Sequence, residues 1–368
     1  MTSTFKHTGV LILVLPLCLL FISCNQPDTV KSQEVKTIEV KRTGGVTVDP
    51  GGDQLSEFLE GMVVSNNLNI AYGVDLRIMR AYQISLETGE ASYLAPEGKG
   101  PEELFQPVQI SKIKDDELLI FDTGLKHIVK YKNGEIQKKY AISPDNNFWL
   151  RNYKGFIKGN VMISAIVEPE EVRAMDFENA KPLAFLDYKK GNLEKRGYFS
   201  PTIDKLDTDS KYPVLYYDTG YNTVFYIFIT DHTVMMYDLQ NDEVIAPEAH
   251  KHSLFRTKSS PIQANSGRSV NTAMQNGLSV SLTIGIDRIG DQLVVVWQNF
   301  NEGFYKNMGD QSSGNVDYFG VLYDLPDLTN PREFTLPGKF HGVYKDKLLI
   351  TDNYGAEELQ LSFYEFVE

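Results

Sequence analysis

A short unit of sequence recurs along this 368-residue chain, and it limits the possible folds more than any other feature. Each copy has an acidic turn, a dense apolar strand, a short break and a strand rich in Tyr or Phe. The clearest pair of copies is Asp116-Glu-Leu-Leu-Ile-Phe-Asp122 and Asp346-Lys-Leu-Leu-Ile-Thr-Asp352. Six such units lie near residues 60–95, 108–142, 150–199, 215–247, 280–337 and 340–367.

Repeats of this length, each forming a small antiparallel sheet, are typical of a β-propeller. One sheet cannot bury both of its faces, whereas a closed ring of sheets can. The sequence therefore predicts an all-β fold, a six-bladed β-propeller spanning residues 36–368. A two-sheet sandwich is the alternative, but it does not explain six evenly spread copies. The composition agrees, because 20 Phe and 20 Tyr favour strands whereas the helix former Ala occurs only 14 times.

The last unit is one strand short, and an early segment supplies a candidate for that strand. Ile38 and Val40 alternate with charged residues, as in a half-buried strand. We expect residues 36–42 to pair antiparallel with the C-terminal unit near Leu361–Phe366 and to close the ring. Gly44 and Gly45 mark a break after this strand.

The first 23 residues have the three parts of a secretory signal peptide. Lys6 gives a basic start, and residues 9–22 form an uncharged run that is too short to span a bilayer as a helix. The run ends in Phe-Ile-Ser-Cys24, which resembles the bacterial lipobox. This resemblance implies cleavage after Ser23 and a lipid on Cys24, and residues 24–35 then form a polar tether. An ordinary cleaved signal with an incidental cysteine is the alternative.

Charge and cysteine content narrow the classes of partner. The formal net charge is −13, and removal of Lys6 with the signal leaves 35 basic against 49 acidic residues, a net charge of −14. An acidic chain is unsuited to nucleic acid and to charge-based docking on anionic lipid. We therefore expect membrane contact through the lipid on Cys24, a location in the cell envelope, and attachment to the outer membrane on a side that the sequence does not define.

Residues 98–107 read Gly-Lys-Gly-Pro-Glu-Glu-Leu-Phe-Gln-Pro. This segment resembles the Gly-x-Gly-Pro-x-Glu-Phe/Leu-x-x-Pro pattern of six-bladed, TolB-like β-propeller lipoproteins of the Bacteroidetes type. The positions that match the pattern are Gly98, Gly100, Pro101, Glu103, Leu104 and Pro107. The resemblance implies a fold and a location more than an activity. A phosphate-binding loop would need a Lys-Ser/Thr pair at the start of a helix, which this segment lacks.

No motif of a catalytic, metal-binding or cofactor-binding site stands out, so we predict no catalytic residues, no metal and no cofactor. His250 and His252 are close in sequence, but further ligands at zinc-site spacing are missing. Asp204, Asp207 and Asp209 lack the Gly and the closing Glu of a calcium loop. Carboxylate pairs that meet only in the folded protein leave no such pattern.

Two long polar insertions, residues 258–277 and 299–317, are the remaining candidates for a contact role, since long loops are uncommon unless they are functional or disordered. The second places Phe300, Phe304 and Tyr305 among Asn and Asp. Aromatic side chains among amides suit sugar or peptide binding, so these three residues are the predicted ligand-binding residues.

Two functions follow from these observations. The first is a non-enzymatic binding or scaffold module that is anchored in the envelope and presents one propeller face to a protein, peptide or glycan. The second is a propeller hydrolase or lyase that acts at the central channel through carboxylates, with or without a divalent metal. Several converging carboxylates or histidines at the channel would favour the enzyme, and an apolar channel lining would favour the binding module.

Overall fold

The computed structural model describes residues 35–53, 55–56, 59–142, 149–150, 154–167, 181–200, 212–247, 250–257, 278–306, 315–352 and 358–367. The predicted signal peptide, Cys24 and the Asp204–Asp209 cluster lie outside these ranges. The described strands, in chain order, are β1 (Lys36–Thr37), β2 (Glu39–Thr47), β3 (Leu59–Ser65), β4 (Ile70–Asp75), β5 (Arg80–Ser85), β6 (Ala91–Tyr93), β7 (Pro107–Lys114), β8 (Glu117–Asp122), β9 (His127–Lys132), β10 (Glu135–Ala141), β11 (Trp149–Leu150), β12 (Lys154–Lys158), β13 (Val161–Val167), β14 (Leu183–Asp187), β15 (Asn192–Arg196), β16 (Pro213–Asp218), β17 (Thr223–Phe228), β18 (Met235–Asp238), β19 (Glu243–Ile245), β20 (Leu282–Ile289), β21 (Gln292–Phe300), β22 (Val316–Asp324), β23 (Thr329–Leu336), β24 (Lys339–Tyr344), β25 (Lys347–Thr351) and β26 (Gln360–Val367). One short helix, α1 (Glu302–Lys306), follows β21.

Hydrogen bonds join the described strands into five sheets, which confirms the predicted all-β class. Three sheets have four strands, in the orders β3-β4-β5-β6, β16-β17-β18-β19 and β2-β26-β25-β24. A fourth has the order β1-β23-β22-β21-β20. The fifth has the order β10-β9-β8-β7-β12-β13-β14-β15, with β11 on β13, and its two antiparallel halves meet where β7 and β12 pair in parallel.

The sheets have a propeller-like arrangement, in which one edge strand of each antiparallel group lies innermost. Strand β16 packs beside β20, β20 beside β24, β24 beside β3, and β3 beside β7. The outer strands, such as β10 and β19, carry exposed charged side chains. Functional side chains on the innermost strands therefore converge although they are far apart in sequence.

The apolar core lies between neighbouring sheets, and this explains why the second strand of a group is apolar throughout. All six residues of β17 are buried. Val224 and Tyr226 face β13 and β14 in one cluster, whereas Phe225 and Ile227 face β21 and β22 in another. Because successive side chains of a strand point to opposite faces, a strand covered on both sides has no solvent face.

The N-terminal segment pairs with the C-terminal sheet, as the sequence predicts. Strand β2 is antiparallel to β26, with Val40 opposite Phe366 and Val46 opposite Leu361. The predicted bounds of 36–42 are wrong at both ends, however. Lys36 and Thr37 form β1, which pairs in parallel with β23 of a different sheet, and the backbone N–H of Ile38 donates to the Glu333 carbonyl oxygen at 2.9 Å.

The glycines at positions 44 and 45 do not end β2, because they lie at and just after a bulge inside it. The register shifts between Arg42 and Gly44, so one extra residue is accommodated and the strand continues to Thr47. A Cβ atom on Gly45 would lie 2.7 Å from the carbonyl oxygen of Leu361. The pattern of glycines therefore marks a close approach of two backbones and not the end of a strand.

Aspartates at the ends of strands explain the acidic positions of the repeat. The Asp122 carboxylate accepts hydrogen bonds from the backbone N–H groups of Phe105 at 2.7 Å, Gln106 at 3.1 Å and Leu125 at 3.1 Å. Asp218 similarly accepts from Gly220 at 2.8 Å. These two side chains satisfy turn N–H groups that the sheets leave unpaired, so Asp122 and Asp218 are structural.

Candidate functional site

A cavity of about 310 Å³ lies among the innermost strands, bounded mainly by β12, β16, β20 and β24. Its apolar lining consists of Val214, Leu215, Ile229, Leu282, Ile284, Ile286 and Phe340. Its polar lining consists of Lys154, Tyr212, Thr283, Asp287, Gln298, Lys339 and His341. Ligand pockets typically have apolar walls and a few converging polar groups, and their volumes begin at about 300 Å³, so this cavity has the form of a small ligand site.

An ion pair crosses the cavity from β12 to β20. The Lys154 ammonium nitrogen lies 2.7 Å from a carboxylate oxygen of Asp287, and the two side chains are 22% and 13% exposed. Desolvation, followed by the nearby Asp287 charge, raises the pKa of Tyr216 well above its usual range. Tyr216 is neutral at physiological pH. Lys154 and Asp287 are the charged residues of the described lining on these two strands.

A second positive charge and a neutral histidine come from β24. Lys339 lines the cavity and is only 6% exposed. Burial, with the repulsion from Lys339, lowers the pKa of His341 to about 3. The Nε2 atom of His341 lies 2.7 Å from the Thr351 hydroxyl oxygen. His341 is therefore an uncharged hydrogen-bonding group, and the charged groups in the described lining are Lys154, Lys339 and Asp287.

Asp287 is the one carboxylate among the described residues of the lining. One of its carboxylate oxygens lies 2.7 Å from the Lys154 ammonium nitrogen. In the part of the chain that the structure describes, no group of three or more His, Cys, Asp or Glu side chains is arranged to hold a metal ion.

The predicted ligand-binding aromatics are half-buried where the structure describes them. The rings of Phe300, at the end of β21, and Phe304, in α1, stack with centroids 4.1 Å apart. Both pack against a core cluster that includes Val316 and Tyr318. The side chain of Tyr305 lies outside the described part of the structure. The sequence predicts aromatic side chains that are available to a ligand. Phe300 and Phe304 instead pack partly against the core. Their role in binding a ligand stays a prediction.

We expect Phe304→Ala to lower the free energy of unfolding by about 1 to 3 kcal/mol, below the cost of truncating a fully buried Phe. The reason is the loss of its stacking on Phe300 and of its contact with the core. Lys306→Ala on the same helix is the control, because its exposed pair with Glu302, 2.6 Å long, contributes little to stability. Urea unfolding measures both, and equal stability of the two variants would contradict a packing role for Phe304.

His250 and His252 lie together beside the carboxylate of Glu333. The Nε2 atom of His250 lies 2.9 Å from one oxygen of Glu333, and Nδ1 of His252 lies 3.7 Å from the other. The Ser253 hydroxyl donates to the same carboxylate at 2.5 Å. Desolvation lowers the pKa of His252 below its ordinary value. This cluster fastens residues 250–253 to β23, which is a structural role.

The glycine-rich segment at 98–107 folds back on itself. The Glu103 carboxylate accepts a hydrogen bond from the backbone N–H of Gly100 at 2.7 Å, and a Cβ atom at Gly98 would lie 2.0 Å from it. The Lys139 ammonium donates to the carbonyl oxygens of Gly100 and Glu103, each at 2.6 Å. The backbone donors of this loop serve the protein itself, so the structural interpretation of the segment is supported over phosphate binding.

Reasoning from the sequence misses the residues that line the cavity. Lys154 and Asp287 are 133 positions apart, and both lie in strands that look like any other amphipathic strand. Only one weak signal in the sequence points to these lining residues. Each innermost strand begins a repeat unit, so the polar residues of these strands are candidates for lining the cavity. Which of them meet depends on bulges such as the one between Thr283 and Gly285 in β20.

No protein-family model matches the chain, and no curated protein matches it. Among solved structures, it is similar to a member of the DUF4221 family from Bacteroides vulgatus, with 12% identity over 91% of this chain and 100% of that chain, and a TM-score of 0.68. It is also similar to a putative exported protein from Bacteroides fragilis, with 10% identity over 89% and 96% of the two chains, and a TM-score of 0.57. At such low identity these similarities show the fold alone: the chain shares the propeller-like architecture of two Bacteroides proteins.

Proposed function

We propose that this protein is a lipid-anchored protein of the cell envelope whose six-bladed propeller is a non-enzymatic binding module. Its ligand is a protein, peptide or glycan that places one residue-sized group in the cavity among the innermost strands. The observation that carries this proposal is the cavity of about 310 Å³, in which seven apolar and seven polar side chains converge.

The six-bladed ring is supported by the pairing of the strands and by the core. The nine-stranded sheet divides naturally into two blades at the short parallel contact between β7 and β12, which spans only two register positions. The described core has six apolar clusters, each between two antiparallel groups of strands. Six interfaces of this kind are what a closed ring of six blades requires. The TolB-like resemblance of residues 98–107 agrees with this count.

The proposed location in the cell envelope is based on the signal-like N-terminus and on Cys24. We propose that the lipid attaches the protein to the outer membrane. One structural neighbour, from Bacteroides fragilis, is itself described as a putative exported protein. No helix in the described ranges is both long and apolar enough to cross a membrane. The alternative, a hydrolase or lyase in the channel, needs at least one further catalytic group beside Asp287, and the described lining favours the binding module.

A substitution that fills the cavity tests this proposal. Ile284→Trp places a large ring among the lining residues, whereas Leu68→Trp adds the same ring at a turn position that is 43% exposed. Each purified full-length protein is incubated with solubilised envelope, washed, and eluted by denaturation, and the retained molecules are identified by mass spectrometry. We expect molecules retained by the wild type and by Leu68→Trp to be lost from Ile284→Trp by tenfold or more. Equal retention by all three proteins would contradict binding in the cavity.

A further inference from the structure

Bulges in two innermost strands, β20 and β24, supply residues of the cavity lining. In β24 the register shifts between Phe340 and Gly342, which makes His341 the extra residue of a β-bulge. The bulge in β20 makes Ile284 the extra residue in the same way. Both residues line the cavity. Bulges turn a side chain out of the regular alternation of a strand and are frequent beside functional sites, so these two place one polar and one apolar side chain at a common site.

The hydrogen bond of His341 determines which of its ring nitrogens carries the proton. Nε2 lies 2.7 Å from the hydroxyl oxygen of Thr351, a residue that is 1% exposed. A hydroxyl hydrogen buried at this depth needs an acceptor, and Nε2 is the acceptor that the structure provides. Because the ring is uncharged, a lone pair on Nε2 puts the proton on Nδ1. The half-buried ring therefore carries a neutral N–H donor at Nδ1.

The surroundings of this donor suit an uncharged ligand group. Ile284 and Phe340 belong to the same lining, and Phe340 is 4% exposed. Lys154 and Asp287 are already paired with each other at 2.7 Å. An N–H group beside apolar walls favours a carbonyl oxygen that is attached to an apolar body, because the carbonyl accepts the hydrogen bond and the body buries apolar surface. A sugar ring fits less well, since each of its hydroxyls would need a partner among these walls.

We propose that the cavity binds one uncharged, apolar amino-acid residue of a peptide. The side chain of that residue packs against Ile284 and Phe340, and its backbone carbonyl oxygen accepts a hydrogen bond from Nδ1–H of His341. This inference rests on the proposed binding function and names the class of its ligand. His341 is then a specificity-determining residue that recognises the carbonyl, while the walls select the side chain.

Titration of the full-length protein with three uncharged probes, followed by NMR of the probe, tests the class of ligand. The probes are acetyl-leucine N-methylamide, acetyl-serine N-methylamide and N-acetylglucosamine. All three carry an amide carbonyl, but only the first has an apolar side chain. We expect the leucine compound to bind at least about tenfold more tightly than the other two, because its side chain leaves water for the apolar walls. Equal binding of the leucine and serine compounds, or preference for N-acetylglucosamine, would overturn the apolar peptide residue and leave the binding function standing.

Two substitutions at position 341 test the donor. His341→Leu removes the N–H group, whereas His341→Asn keeps a side-chain N–H near the position of Nδ1. We expect His341→Leu to weaken binding of the leucine compound about 3- to 10-fold, the strength of one neutral hydrogen bond, and His341→Asn to stay within about twofold of the wild type. Equal losses in the two variants would show that His341 only fills space.

Nitrogen NMR of the wild type gives an independent readout, because the two tautomers of a neutral histidine have different ¹⁵N signals. We expect the His341 proton on Nδ1, and a proton on Nε2 would overturn the donor. If none of the probes binds, the peptide assignment is overturned, and the Ile284→Trp experiment separately decides whether the cavity binds anything. Should the variants at position 341 fail to fold, the comparison of the three probes and the tautomer in the wild type decide the inference.

Discussion

Deletion of residues 36–47 is expected to prevent the propeller from holding its folded state at 25 °C. The deleted segment contains β1 and β2, and β2 pairs with β26 at eight register positions from Glu39–Val367 to Thr47–Gln360. Ile38 is 5% exposed and belongs to the core cluster between β23 and β26. Without the segment, one sheet loses its outer strand and another loses the parallel edge strand β1.

The expected loss is comparable to the whole stability of the domain. Truncating one buried Ile typically costs about 2 to 5 kcal/mol, and the total free energy of unfolding of a domain is about 5 to 15 kcal/mol. The deletion removes that side chain, the packing of Val40 and Val46, and a ladder of backbone hydrogen bonds. It also exposes the edge of β26 to pairing with other chains.

Circular dichroism and size-exclusion chromatography measure the outcome, which should be loss of the cooperative transition together with aggregation. Ile38→Ala removes only one buried side chain of this segment and should lower the free energy of unfolding by about 2 to 5 kcal/mol. Lys41→Ala, on the exposed face of β2, is the matched control and should change it by less than about 0.5 kcal/mol. A deletion variant that melts cooperatively near the wild-type temperature would show that the ring does not depend on this segment.

Replacement of Cys24 by Ser is expected to move nearly all of the protein from the membrane fraction to the soluble fraction. Each acyl chain on the predicted lipid contributes about 0.8 kcal/mol per buried methylene, and several chains on one residue form a lasting anchor. The acidic chain offers no charge-based attraction to anionic lipid that would replace this anchor. Fractionation after a high-salt wash, with incorporation of labelled palmitate, measures the change.

Cys18→Ser is the matched control for that experiment. Cys18 is the other cysteine of the chain and lies inside the predicted signal peptide, so its replacement should leave lipidation and fractionation as in the wild type. If Cys24→Ser still sediments with membranes after the wash, the anchor is elsewhere and the lipobox interpretation is wrong.

Local sequence signals predicted the strands and hairpins well, because each depends on neighbouring residues. The Leu118–Asp122 run is part of β8, and the Asn133-Gly134 turn has positive φ values of 52° and 84° that match a tight hairpin. The partner of β2 was also predictable, since the C-terminal unit lacked a strand. Its bounds were not, because a bulge beside Gly44 and a switch of partner before Glu39 leave no periodic signal.

The cavity could not be predicted in the same way. Lys154, Asp287 and Lys339 belong to three different strands, and they meet only because those strands lie innermost in the arrangement. Their side chains alternate with apolar ones as in any half-buried strand, so periodicity assigns them to a surface. Phe300 and Phe304 lie in a polar neighbourhood of the sequence, and that pattern gives no sign of their stacking on each other and their contact with the core.

The pairing of β2 with β26 also sets the order in which the chain can fold. Strand β2, near the start of the chain, has its partner in β26, the last of the described strands, 328 positions away at the Glu39–Val367 pair. Contacts so distant in sequence form slowly, because the loop must close before they stabilise anything. A growing chain therefore keeps an open sheet edge until its C-terminus is available, which gives chaperones time to engage it before it becomes compact.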